Sequence, residues 1–151
     1  MVMNIVPFSE KYLEPITAIF VREFSEVGKP WTIENAVNYL KLWYERFPEY
    51  SLAALDQDGA LMGGIFCFIL PYYDGLLLTI DVLLVNDQYR RQGVAKALMR
   101  QIRQIARENH IKYVQLQADE RKEFPLSWYR RLGFYKNGWI CLEAVLDDLK
   151  V

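Results

Sequence analysis

The sequence predicts one α/β domain spanning residues 1–151, with a mixed β-sheet, helices on both of its faces and the element order β-α-α-β-β-β-α-β-α-β-β. Three observations lead there. A chain of 151 residues is the size of one ordinary domain with a single core. Asp56-Gln57-Asp58-Gly59 separates two apolar runs and is a strong hairpin turn. Leu76 to Ala118 reads strand–helix–strand, which requires a parallel pair.

Taken in order, Met3 to Pro7 is a short first strand. Ser9 is positioned to cap a helix from Glu10 to Glu26, with Leu13, Ile16, Phe20 and Phe24 on one face, and Gly28 and Pro30 end it. Thr32 caps a second helix to Phe47 with the stripe Ile33, Val37, Leu40, Tyr44 and Phe47, and Pro48 closes it. Ser51 to Leu55 and Leu61 to Leu70 form the hairpin, and Pro71 to Gly75 is a second turn. Leu76 to Val85, almost continuously apolar, reads as a strand buried on both faces. Gly93 opens a helix to Asn109 with Val94, Leu98 and Ile102 inward, ended by His110. Tyr113 to Ala118 is the next strand and Pro125 to Arg131 a short helix. Gly133 is its C′ residue, and Phe134 and Trp139 to Leu146 form the last strands.

Composition bounds the function only loosely. With 18 basic and 19 acidic residues the net charge is −1, which argues against nucleic-acid binding through bulk electrostatics. Cys67 and Cys141 lie far apart in apolar runs, where they read as packing residues, and with one histidine they complete no zinc cluster. No metal is expected, and a reducing cytoplasmic location fits. The N-terminus has no signal-peptide pattern, and the longest apolar run, Ala60 to Leu70, falls short of the roughly 20 residues of a membrane helix.

The informative segment is Val85 to Ala95, where an apolar strand leads through Arg90-Arg91-Gln92-Gly93 into a helix. Small residues at Gly93 and Ala95 leave the first-turn amides open to an anion, which the helix dipole favours. Arg90 and Arg91 add charge-assisted contacts suited to a diphosphate. A plainer reading makes Gly93 a tight turn and the arginines solvated. A dinucleotide fold would use Asp119 for a ribose, but its G-x-G-x-x-G is missing and about thirty residues follow, too few for a second half. No nucleoside-triphosphate P-loop motif occurs.

Arg90-Arg91-Gln92-Gly93-Val94-Ala95 resembles the [QR]-x-x-G-x-[GA] motif of the GNAT superfamily of acyl-CoA-dependent N-acyltransferases. Tyr129-Arg130-Arg131-Leu132-Gly133-Phe134 is similar to its Y-x-x-x-G-F segment, and the element order follows the family across nearly the whole chain. The resemblance implies that the pyrophosphate of acetyl-CoA is held at Arg90, Arg91, Gln92, Gly93, Val94, Ala95 and Lys96. The central parallel strands would splay apart to take the pantetheine arm, which pairs with the backbone of Leu83 and Val85. One such N–H would also polarise the thioester carbonyl and stabilise its oxyanion. As side chains, both residues equally suit a plain core.

Tyr129 matches the family tyrosine beside the thioester sulfur, where a phenol of pKa about 10 would protonate the leaving thiolate. As a residue alone it also reads as a core tyrosine beside Trp128. Asp81, four residues before Val85, matches the acidic position facing the acceptor amine. A carboxylate in an apolar strand needs a partner or a wet cleft, so Asp81 is either the base or a structural carboxylate. Two positions depart from the usual pattern: Ala95 replaces glycine, and Lys122-Glu123-Phe124-Pro125 stands where N-x-x-A is common, which leaves no cofactor contact assigned to that loop.

The resemblance places the acceptor among the N-terminal helices and hairpin loops, making Trp31, Trp43, Tyr44, Tyr72, Tyr73 and Asp74 candidates, although each also suits a core or surface role. The expected reaction is direct acetyl transfer from acetyl-CoA to the primary amine of a small molecule, without an acyl-enzyme. The alternatives are a protein N-terminus or lysine as acceptor, or a non-catalytic acyl-CoA sensor. Neither nucleic acid nor membrane is an expected partner, and the family suggests a homodimer.

Overall fold

The computed structural model describes residues 2–150, which form two compact units divided in sequence between Gln117 and Ala118. The first unit holds strands β1 (Asn4–Pro7), β2 (Ser51–Leu55), β3 (Leu61–Tyr72), β4 (Gly75–Val85) and β5 (Tyr113–Leu116), arranged β1-β2-β3-β4-β5. The first three pairings are antiparallel, whereas β4 and β5 run parallel, as the strand–helix–strand pattern requires. Helices α1 (Leu13–Phe24), α2 (Ile33–Arg46) and α3 (Val94–Glu108) flank this mixed sheet.

Local chemistry explains where the elements begin. Residues 10–12 form a 3-10 turn rather than the start of an α-helix, and the Ser9 side chain makes no cap bond. Pro15 is the reason: without an N–H it is tolerated only in a first helical turn, so α1 cannot start much before Leu13. Thr32 does cap α2, its Oγ1 accepting the Asn35 N–H at 3.1 Å. Between β2 and β3, Asp56 Oδ1 accepts the N–H groups of Asp58 and Ala60, both at 2.9 Å. The next hairpin is tighter than the sequence suggests, since Pro71 and Tyr72 belong to β3 and only Tyr73 and Asp74 turn the chain.

The core follows the strand alternation. Ile16, Phe20, Ala36 and Leu40 of α1 and α2 pack on Ala53, Leu55, Phe66, Val82 and Leu84. Phe24 and Ile33, expected to face inward, stay exposed at the helix ends nearest the α1–α2 loop. The buried face of α3 is Val94, Leu98, Ile102 and Ala106, spaced one turn apart. Against α3, β3 needs Gly63, because a Cβ there would collide with the Leu84 carbonyl oxygen and press on Val94. β4 is not buried on both faces: Thr79, Asp81, Leu83 and Val85 are half-buried and alternate with buried neighbours.

Two features of β4 position the candidate site. Phe66 lies opposite Val82 and Cys67 opposite Ile80, so Asp81 is the extra residue of a β-bulge. The parallel ladder covers only Leu77–Ile80 against Tyr113–Leu116. Beyond it, β4 continues to Val85 with β3 as its one strand neighbour among the described residues.

The second unit carries α4 (Glu123–Arg131), whose backbone is helical from Pro125, with Phe124 extended before it and a cis Phe124–Pro125 bond. Gly133, at φ 105°, ends it as expected: its N–H reaches the Arg130 carbonyl at 3.0 Å while the Phe134 N–H reaches Tyr129 at 3.1 Å. The expected last strands, Phe134 and Trp139 to Leu146, are not formed. β-propensity describes fit to a half-buried pleated surface and makes no strand without a partner ladder, and no strand pairing involves residues 134–145. Trp139, Ile140, Leu142, Val145 and Leu146 remain exposed, as does Cys141, which does not pack. The β4/β5 pair therefore ends the five-stranded sheet among the described residues instead of standing at its centre.

Candidate active site

Asp81 is placed by the bulge on the α2 side of the sheet, where its Oδ2 accepts the hydroxyl hydrogen of Tyr39. A bulge re-aims a side chain and lets it share a face with its neighbour, here Val82. Burial pushes the Asp81 carboxyl above the usual carboxylate range, opposed by the Tyr39 hydroxyl and the nearby Trp43 N–H. The Tyr39 phenol is pushed up, first by burial and then by its hydrogen bond to Asp81 and that carboxylate's charge, so it stays a donor. Around this pair stands an aromatic wall. Trp31 lies 5.2 Å from the Tyr39 ring, Trp43 lies 5.9 Å away, and Trp43 stacks on Phe68 at 4.8 Å and 19°. Such a setting suits an ammonium group attached to an apolar skeleton.

Of the aromatic residues read as acceptor candidates, Trp31 and Trp43 lie in this wall. Tyr44 instead packs on Phe8 at 5.0 Å in the core. Tyr72, Tyr73 and Asp74 sit at the Gly75 end of β4, about 20 Å along an extended strand from Asp81. There Tyr73 and Tyr113 share a 2.6 Å hydroxyl contact and Lys112 pairs with Asp74 at 3.1 Å. Sequence reading missed Tyr39 and Phe68. The i, i+4 spacing of Tyr39 and Trp43 on one helix was the available signal.

The loop from β4 to α3 exposes backbone donors. The first intrahelical bond runs from Ala97 N–H to Gly93 C=O at 2.9 Å, so the amides of Val94, Ala95 and Lys96 have no acceptor inside the helix. Arg91 at φ 60° and Gly93 at φ 82° are both left-handed, a backbone pattern that turns amides toward one side as an anion nest does. No side chain caps Gly93, and a Cβ there would meet nothing within 4 Å, so glycine is required by its φ and not by space. Gln92 Nε2 folds back to the Gln88 carbonyl at 3.1 Å. Arg90 is engaged by carboxylates, Glu23 at 2.7 Å and Asp87 at 2.9 Å, and Arg22 joins the network through Asp87 at 3.2 Å.

Open amides, a left-handed turn and the one-sided β4 edge at Leu83 and Val85 fit a diphosphate with a strand-like arm. Asp81, Leu83, Val85 and residues 90–96 all lie in the first unit, on one stretch of chain. Tyr129 belongs to the second unit, where Trp128 and Phe134 stand 5.1 and 5.8 Å from its ring and burial pushes its phenol up. Asp119, the ribose-holding carboxylate of a dinucleotide fold, is instead clasped by Arg121 at 2.8 and 2.9 Å, which holds it down to about 2. Cys67 is fully buried, which pushes its thiol far up and suits a packing residue. No helix among the described residues is long and apolar enough to cross a membrane.

Comparison with known proteins agrees with this geometry. The model of the acetyltransferase (GNAT) family matches residues 13–134. N-alpha-acetyltransferase 30 of Schizosaccharomyces pombe is 28% identical over 134 residues, covering 87% of this chain and 83% of that protein. The NatC complex bound to Gag peptide and CoA superimposes with a TM-score of 0.75 at 23% identity, over 89% of this chain and 86% of that one. Ard1 from Thermoplasma volcanium gives 0.73 at 22% identity, over 89% and 84%. At such identities the two structures demonstrate a shared fold.

Proposed function

The chain belongs to the GNAT acetyltransferase family and is an acetyl-CoA-dependent acetyltransferase, and we propose that it acetylates the primary amine of a small apolar molecule with Asp81 as base. The observation that carries this reading is Asp81 itself: a half-buried carboxylate at a β-bulge, tied to Tyr39 and walled by Trp31, Trp43 and Phe68. An alkylammonium has a pKa near 10 and must lose a proton before it can attack. Asp81 binds the ammonium and receives that proton through water, while the aromatic wall takes the apolar skeleton.

Coenzyme A supplies the acetyl group as a thioester. The amides of Gln92 to Lys96, with Arg90 and Arg91, hold its pyrophosphate, and the backbone of Leu83 and Val85 holds its arm and polarises the carbonyl. Tyr129, kept protonated by burial, gives a proton to the departing sulfur. Attack is direct.

A second reading, with a protein N-terminus as acceptor, is favoured by the fission-yeast relative, an N-alpha-acetyltransferase, and by the peptide in the NatC complex. Thiol release from acetyl-CoA should be measured with apolar small amines, polar amines and short peptides with free or blocked N-termini. Apolar small amines should lead the panel, and peptides leading it would establish the second reading. Asp81→Asn should lower kcat/KM by 10²–10⁴-fold, and Tyr129→Phe should slow release while leaving acetyl-CoA binding intact. Full turnover in either variant removes that residue from the chemistry.

A further inference from the structure

Asp81 is held by more than its own strand. Its Oδ2 takes the Tyr39 hydroxyl. One oxygen of the carboxylate is thus anchored from α2. Tyr39 cannot easily turn away, being packed among Phe20 at 5.6 Å, Trp31 at 5.2 Å and Trp43 at 5.9 Å. One turn along α2, the Trp43 indole Nε1–H is buried with no acceptor at hydrogen-bond distance. A buried donor left unmade is costly, and this indole N–H favours the ionised form of both Asp81 and its partner Tyr39, which places the pair within its reach.

We infer that Tyr39 and Trp43 are positioning residues of α2 that fix the Asp81 carboxylate for the acceptor amine: Tyr39 anchors Oδ2 through its O–H, and Trp43 supplies an indole N–H as a second donor to the carboxylate. This rests on the reading of Asp81 as base. In that role the two donors do two things. They keep the carboxylate in one rotamer, which lowers the entropy lost on reaching the reactive geometry. They also favour its ionised form against the burial that opposes it. Among the described residues the Cys67 thiol of β3 also feels the Asp81 charge, and burial pushes it up and favours its neutral form.

The experiment is the pH dependence of kcat/KM for one amine in the wild type, Tyr39→Phe, Trp43→Phe and Asp81→Asn, each checked for folding by circular dichroism. Phenylalanine retains the ring packing at both positions. Loss of a donor to a carboxylate raises its pKa, so the acid limb should move to higher pH by half a unit or more in Tyr39→Phe and by less in Trp43→Phe. Activity should fall several-fold below the limb and partly recover at alkaline pH, with acetyl-CoA affinity unchanged. A merely structural role would lower the rate equally at all pH values. If both folded variants keep the wild-type limb while Asp81→Asn abolishes it, the inference is overturned and the base assignment stands. If Asp81→Asn keeps the limb and the rate, the base assignment itself falls. Should Tyr39→Phe not fold, the shift in Trp43→Phe decides alone.

Discussion

At the scale of single residues, burial makes the charge of Asp81 costly to the fold. Burial raises its folded pKa, so between the ordinary carboxylate value and the raised one the native state binds more protons than the unfolded chain. Unfolding free energy therefore falls as pH rises through that window. Asp81→Asn, which still accepts from Tyr39, removes this penalty. It should melt a few degrees above the wild type at pH 8, and the gap should close near pH 4. A lower melting temperature for the variant at pH 8 would show that the ionised carboxylate stabilises the fold instead. Asp81 was legible in the sequence because a charge in an apolar strand is expensive. Its partner was not, since Tyr39 is one of several aromatics on α2 and only the bulge determines which of them Asp81 reaches.

Among the elements, the proposed grip on acetyl-CoA falls to the loop between β4 and α3. Its glycine and arginines were visible as residue types in the right order, but Arg90 does not wait free. Glu23 at the end of α1 and Asp87 in the loop share its guanidinium, an arrangement between distant segments that no local pattern encodes. A pyrophosphate recruiting Arg90 has to compete with them. Glu23→Gln should therefore tighten acetyl-CoA binding, by at most about fivefold because exposed ion pairs are worth about 1 kcal/mol or less. Calorimetry at low and high salt checks this. The gain should shrink with salt, and weaker binding in the variant would mean that Glu23 holds Arg90 in its binding position.

For the whole molecule, the helices and first five strands followed from periodicity, turn chemistry and the parallel connection, each of which acts locally. The last strands failed because pairing is a property of two segments, and the apolar run from Trp139 to Leu146 says only that it could pair. Tyr72 and Tyr73 failed as acceptor candidates for a similar reason: proximity in space to Asp81 depends on which end of β4 a hairpin occupies. In the proposed function one turn and one strand edge of this fold grip acetyl-CoA. Isothermal calorimetry of acetyl-CoA with wild type and Gly93→Glu tests this most directly. The substitution forces a side chain into a left-handed turn and sets a carboxylate among the amides proposed to hold pyrophosphate. With the variant shown to be folded, its affinity should drop at least tenfold below the wild type, and equal affinity in the two proteins would contradict the account.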